Sequence, residues 1–245
     1  MNIKIGSRSL TFEIVPTVAY LCLLSLLLTL GAWQLRRSDE KQAFIKLEEQ
    51  RLASETLDLS ANVTDDVDEL RYRHVTVAGS YDHAHQFLID NQISDGKAGY
   101  YVLTPFILQG ESKAVLVNRG WVPLNEDRSI LPEIAVEKRQ TIIEGRINSF
   151  PSVGIKLAGA EIPTDSWPSV VQWVDSEILA KKLGYSLFPF QVELDKDQPD
   201  GFKREWRTTT VMPPEQHIGY AVQWFGLALT LTIIFIWYSI KKDNE

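Results

Sequence analysis

The 245-residue chain holds a single cysteine, Cys22. No disulfide, Cys-x-x-Cys redox pair or thioether-attached cofactor can form within it. The usual enzyme signatures are also missing. There is no G-x-S-x-G, no H-E-x-x-H, no P-loop and no dinucleotide-binding glycine fingerprint. Positive charge is short, with 25 Lys and Arg against 32 Asp and Glu. Residues Asp39 to Gln216 hold 19 basic against 29 acidic residues, a larger excess than that of the whole chain. A segment that acidic is a poor nucleic-acid binder and is repelled by anionic headgroups. No nucleic-acid partner is expected.

Two uncharged apolar runs are present, Ile14 to Leu35 and Ile218 to Tyr238. A helix of about 20 residues spans a hydrocarbon core, and only a helix satisfies its own backbone there. The first run is too long for a typical signal-peptide core. It ends at Leu35-Arg36-Arg37 without a small-residue cleavage site, as a retained anchor does. The leader before it is too short for an Arg-rich presequence, which favours a bacterial inner membrane. The expected divisions are tail 1–13, span 14–35, domain 36–217, span 218–238 and tail 239–245. Two spans put both termini on one side. Lys4, Arg8, Lys241 and Lys242 on that side face seven basic residues beside the loop, among them Arg36, Arg37 and Arg207. Read literally, that count puts the middle domain in the cytoplasm. The rule is calibrated on short loops, however, so charge leaves the orientation open.

The middle segment reads as one β-rich domain. Asp39 to Ala53 continues the first helix, with Phe44, Leu47, Gln50 and Arg51 on one face and Lys41 and Glu48 elsewhere. Asn62 to Glu69 reads as an acidic loop. Strands are expected at Arg73–Val77, Gln86–Ile89, Tyr100–Leu108, Ala114–Val117, Thr141–Ile147, Val170–Val174 and Phe190–Leu194. Turns are expected at Asp95-Gly96 and Gln109-Gly110-Glu111, and an edge or bend at Pro105. One helix, Ser176 to Leu183, closes at Gly184. The expected class is an α+β membrane protein, two transmembrane helices flanking an antiparallel barrel- or sandwich-like domain.

Two histidine sites carry chemistry. In Asp82-His83-Ala84-His85, a strand would point both rings to one face, which suits copper or zinc. A polar hairpin connection is the plainer reading, since a stable metal site wants three or four ligands. His217 stands where the second span begins, after Pro213-Pro214-Glu215. With Tyr220, Ala221 and Trp224 it forms one helical stripe at i, i+3, i+4 and i+7. Trp33, Trp237 and Tyr238 fit an interfacial belt. Trp224 lies two turns in and does not. A neutral imidazole there could ligate a metal or haem iron. The residues leave open the plainer alternative, a boundary histidine bonding water.

Five segments stand out together: Gly31-Ala32-Trp33-Gln34-Leu35-Arg36-Arg37, Val75 to Asp82, Gly99 to Phe106, Val115 to Pro123, and His217 to Leu227. In these the chain resembles the Surfeit locus protein 1 family, membrane assembly factors of haem-copper cytochrome c oxidase. The order of the segments is the family's, and they cover essentially the whole chain. Gln92 and Ile218 depart from the pattern, where arginine and leucine are usual.

The resemblance implies an extracytoplasmic, here periplasmic, central domain and a non-enzymatic role at the step where haem a enters the oxidase catalytic subunit. It implies His217 as axial ligand; on this reading Tyr220 and Trp224 line the macrocycle, and Trp33 and Gln34 face them from the first span. Expected partners are that subunit, a haem a synthase and the lipid bilayer. Asn118, Arg119 and Trp121 follow a strand, and Gly120 supplies backbone freedom at its end. They are a candidate docking surface for an oxidase partner, or else a structural strand end with Arg119 paired to a carboxylate. Two alternatives to haem a delivery remain: a scaffold that binds no cofactor, and a membrane-anchored copper carrier using His83 and His85.

Overall fold

A computed structural model describes residues 2–5, 8–60, 63–137, 140–152, 158–206 and 212–242. Asn62 and Arg207 lie outside them. The chain divides into two compact units, one of residues 1–47 and 208–245, the other of residues 48–207.

The first unit is built on two helices, α1 (Ile14–Leu52) and α4 (Pro214–Ser239), both long and apolar enough to cross a bilayer. Two contacts show that they run antiparallel. Ser38 meets Pro214 at one end, and Tyr20 meets Thr232 and Phe235 at the other. Their least exposed residues step by three and four. The steps are Tyr20, Leu24, Leu27, Gly31, Gln34 and Ser38 on α1, and Pro214, His217, Ala221, Trp224 and Ala228 on α4. That repeat marks a seam between paired helices. The Phe225 ring comes within 2.7 Å of where a Cβ on Gly31 would stand. Tyr20 and Phe235 stack with centroids 4.1 Å apart.

The segments expected as tails are paired strands. β1 (Asn2–Ile5) and β2 (Arg8–Thr11) form a hairpin, and β11 (Ile240–Lys242) adds antiparallel to β2. The two chain ends therefore lie together, at one end of the helix pair. The runs are too short and polar to show strand periodicity.

The second unit holds β3 (Leu57–Asp58), α2 (Val67–Leu70), β4 (His74–Tyr81), β5 (Phe87–Ser94), β6 (Lys97–Leu108), β7 (Lys113–Pro123), β8 (Gln140–Asn148), β9 (Ser169–Val171), α3 (Ser176–Leu183) and β10 (Ser186–Leu194). The sheet order is β3-β4-β8-β10-β7-β6-β5-β9, and a further β4–β6 pairing closes the path from β4 to β6 into a ring. The sheet is mixed, which corrects the antiparallel expectation. β3–β4, β5–β9 and β7–β10 pair in parallel. Strand periodicity reports which face is buried, not the direction of the neighbour.

Asp95 and Gly96 both take positive φ, the geometry of a type I′ hairpin. Pro105 lies inside β6, not at an edge. It falls where β6 changes neighbour, pairing with β5 through Leu103 and with β4 from Phe106, so its missing N–H breaks no ladder. The acidic stretch after Asn62 contains a turn of helix, α2, capped by the Asp66 carboxylate on the Asp68 and Glu69 amides. Asp175 caps α3 in the same way, and Gly184 ends it in the left-handed conformation. Val75, Val77, Phe106, Val117, Phe188 and Phe190 form the centre of the main core.

Candidate functional site

Pro213 and Pro214 open α4, so His217 falls in its first turn. His217 is 6 % exposed and faces the seam. Its Nδ1 lies 2.7 Å from Gln34 Oε1 on α1. One turn further along α1, the Ser38 hydroxyl donates to the Pro214 carbonyl at 3.1 Å. His217, Ala221 and Trp224 keep to the expected stripe, but Tyr220 turns outward, 42 % exposed. Trp33 is 43 % exposed and borders a hollow of about 510 Å³ lined by Thr29, Leu30, Ala32 and Arg36. The structure thus brings Gln34 to His217 directly and leaves Trp33 off the seam. Sequence reading missed Ser38, whose only signal was its position one helical turn after Gln34.

Sequence reading also misplaced the face of α1 beyond the apolar run. Leu47 is exposed and Glu48 is buried. Glu48 accepts from Arg146 Nη1 at 3.0 Å, and Arg146 Nε donates to Glu193 at 2.6 Å. Asn148 donates to the other Glu193 oxygen and accepts from Arg71. This is a buried charged network, in which each ion relies on its partners.

The candidate docking residues Asn118 and Arg119 are interior side chains, as at a structural strand end. Both are 1 % exposed, and Trp121 is also buried. Arg119 donates to the Gln86 side chain and to the carbonyls of Ile134, Ala135 and Asp200. Its guanidinium lies over the Phe202 ring, and burial lowers its pKa from the ordinary arginine value. Asn118 bonds Gln191, and Trp121 Nε1 donates to the Gln92 carbonyl. A strand end packed under another segment hides its polar groups, and the sequence does not announce that segment. Gly120, at φ 115°, lets the Lys203 carbonyl come within 2.7 Å of where a Cβ would stand.

His83 and His85 lie in a turn, not on a strand, so the shared-face argument falls. His85 Nδ1 lies 2.8 Å from Asp82, which also accepts from the Tyr185 hydroxyl at 2.8 Å. Burial acts to raise the Asp82 pKa, but the bonds from His85 and Tyr185 outweigh it and hold the carboxyl below its usual range. Tyr185 is pushed up, by burial first and then by Asp82.

The SURF1 family model matches residues 21–229, which include Gln34, Ser38 and His217. The chain belongs to the SURF1 family. A SURF1-like protein of Rickettsia conorii is 28% identical over 232 residues, covering 87% of each chain. Surfeit locus protein 1 of Homo sapiens is 26% identical over 227 residues, covering 86% of this chain and 72% of its own length. A Saccharomyces cerevisiae relative named cytochrome oxidase assembly protein SHY1 is 33% identical over 94 residues, 38% of this chain and 24% of its own.

Proposed function

We propose that this SURF1-family chain is a non-enzymatic assembly factor for a haem-copper cytochrome c oxidase. His217 holds haem a as cargo, for transfer from a haem a synthase to the oxidase catalytic subunit. The assembly role draws on family membership and on the name of the yeast relative. The cargo role draws on one observation, the His217–Gln34 pair. With Nδ1 engaged, Nε2 is the nitrogen left to bind iron. This donor set fits haem iron. Trp224, on the His217 stripe, supplies aromatic surface for the macrocycle, such a contact adding about 1 kcal/mol, while the outward Tyr220 and Trp33 reach it only from the rim of the site. One imidazole and a few such contacts hold a cargo loosely enough to be passed on.

The topology we propose has both helices spanning a bacterial inner membrane, cytoplasmic termini and a periplasmic central domain. The β2–β11 pairing supports termini on one side. A periplasm-active reporter fused after Leu124 should score positive, and a signal from a cytoplasm-active reporter alone overturns this topology.

The cargo is tested by an optical spectrum of the chain purified from a haem a-producing host. Wild type should carry haem a. His217→Ala should lose most of it while still inserting and folding, and His83→Ala and His85→Ala should keep it. An unchanged haem spectrum in His217→Ala removes His217 as the ligand and favours a scaffold that binds no cofactor there.

A further inference from the structure

Gln34 is placed to govern the histidine rather than to touch a macrocycle. Its amide oxygen lies 2.7 Å from His217 Nδ1 and can only accept a hydrogen bond, so in this orientation the pair selects the tautomer with the proton on Nδ1. A neutral imidazole has one N–H, which leaves the Nε2 lone pair bare. Nε2 makes no hydrogen bond to any described residue. An imidazole in a helix commonly donates to a backbone carbonyl four residues back. Here that carbonyl belongs to Pro213, and it already accepts the Gln216 amide at 3.1 Å. The acceptor comes instead from the other helix. Ser38, four residues beyond Gln34, bonds the Pro214 carbonyl and fixes the same first turn of α4 against rotation.

We infer that Gln34 is a positioning residue that sets the tautomer of His217, so that Nε2 alone faces the iron and gains donor strength through the Nδ1–H bond. The inference rests on the reading of His217 as the haem a ligand. Its physical basis is general: a partner on the distal ring nitrogen fixes ring orientation and raises ligand basicity, and its loss typically costs about 10- to 100-fold in affinity. Because the acceptor lies across the seam, the strength of the ligand depends on the two helices staying paired.

The test uses the full chain in micelles, with Gln34→Leu and Gln34→Glu. The first measurement is the 15N spectrum of His217 without haem, at alkaline pH. Wild type and Gln34→Glu should show the Nδ1–H tautomer. Gln34→Leu should move toward the Nε2–H form that free histidine side chains favour. The second measurement is haem a titration with resonance Raman. Gln34→Leu should bind about 10-fold more weakly or worse. Gln34→Glu should restore binding to within a few-fold, and the iron–imidazole stretch should rise in the order Leu, Gln, Glu. An Nε2–H tautomer in wild type, or an unchanged one in Gln34→Leu, overturns the role of Gln34 whatever His217→Ala does to haem content. Haem a uptake unaffected by His217→Ala overturns the ligand reading, while the tautomer spectrum, which needs no haem, judges Gln34 separately.

Discussion

The two units are built inside out relative to each other. In the β-rich unit the apolar side chains are interior, and the core of Val75, Phe106, Phe188 and Phe190 is sealed. In the helical unit the large apolar residues point outward, with Ile14 82 % and Trp237 77 % exposed. What that unit buries is small or polar: Gly31, Ser38, His217, Ala221 and Ala228. In water such a pair would expose its apolar surface, so the arrangement makes sense in lipid, where packing and interhelical hydrogen bonds drive association. Each unit also hides polar groups from its surroundings. The β-rich unit hides two arginines with many acceptors, and the helical unit hides one imidazole with one.

The sharpest way to break this contrast is to remove a buried cation. Arg146→Met removes the guanidinium that Glu48 and Glu193 share in the interior and should cost about 3–5 kcal/mol. The thermal unfolding of the β-rich unit, followed by near-ultraviolet circular dichroism, should fall accordingly. Adding Glu48→Met and Glu193→Met should recover most of the loss, since an apolar set needs no charge partner.

Arg119→Ala comes next. It removes the donor to the Ile134 and Ala135 carbonyls, and a group left unsatisfied where water cannot reach costs about 1–3 kcal/mol. The expected outcome is a large drop in melting temperature, with Arg119→Lys recovering only part, because an ammonium cannot reach the same set of oxygens. An Arg119→Ala protein of wild-type stability would return this residue to a docking role.

Within the helical unit the effects should be smaller and follow position. Gly31→Leu drives a side chain into the Phe225 ring and should cost about 1–3 kcal/mol of helix pairing, read as dissociation in a detergent titration. Gly219→Leu and Gly226→Leu have nothing within 4 Å to strike and should leave pairing unchanged.

The smallest effect is a pH dependence. The folded-state pKa of Asp82 is depressed, so its contribution is fully present above the unfolded carboxylate value of about 3.9 and is lost as pH falls toward the lower folded value. Acid unfolding of Asp82→Asn should lack that step, and the two stability curves should converge at the acid end.

The sequence by itself determined the two apolar helices, most strands and turns, the Gly184 end of α3 and the stripe holding His217. These depend on local periodicity and on the conformational preferences of Gly, Pro and Asp, which act within a few residues. The tertiary structure alone decided partners and directions. Strand alternation is the same in parallel and antiparallel pairs, so the three parallel pairings were not legible. Glu48 was read by charge as part of a polar face, and Arg119 was left open between a docking role and a structural one; only the packing of distant segments buried them. Gln34 was legible as a neighbour of the site but not as the bonding partner of His217. Side chains 183 positions apart meet only once two helices pair, and the register of that pairing is a long-range property.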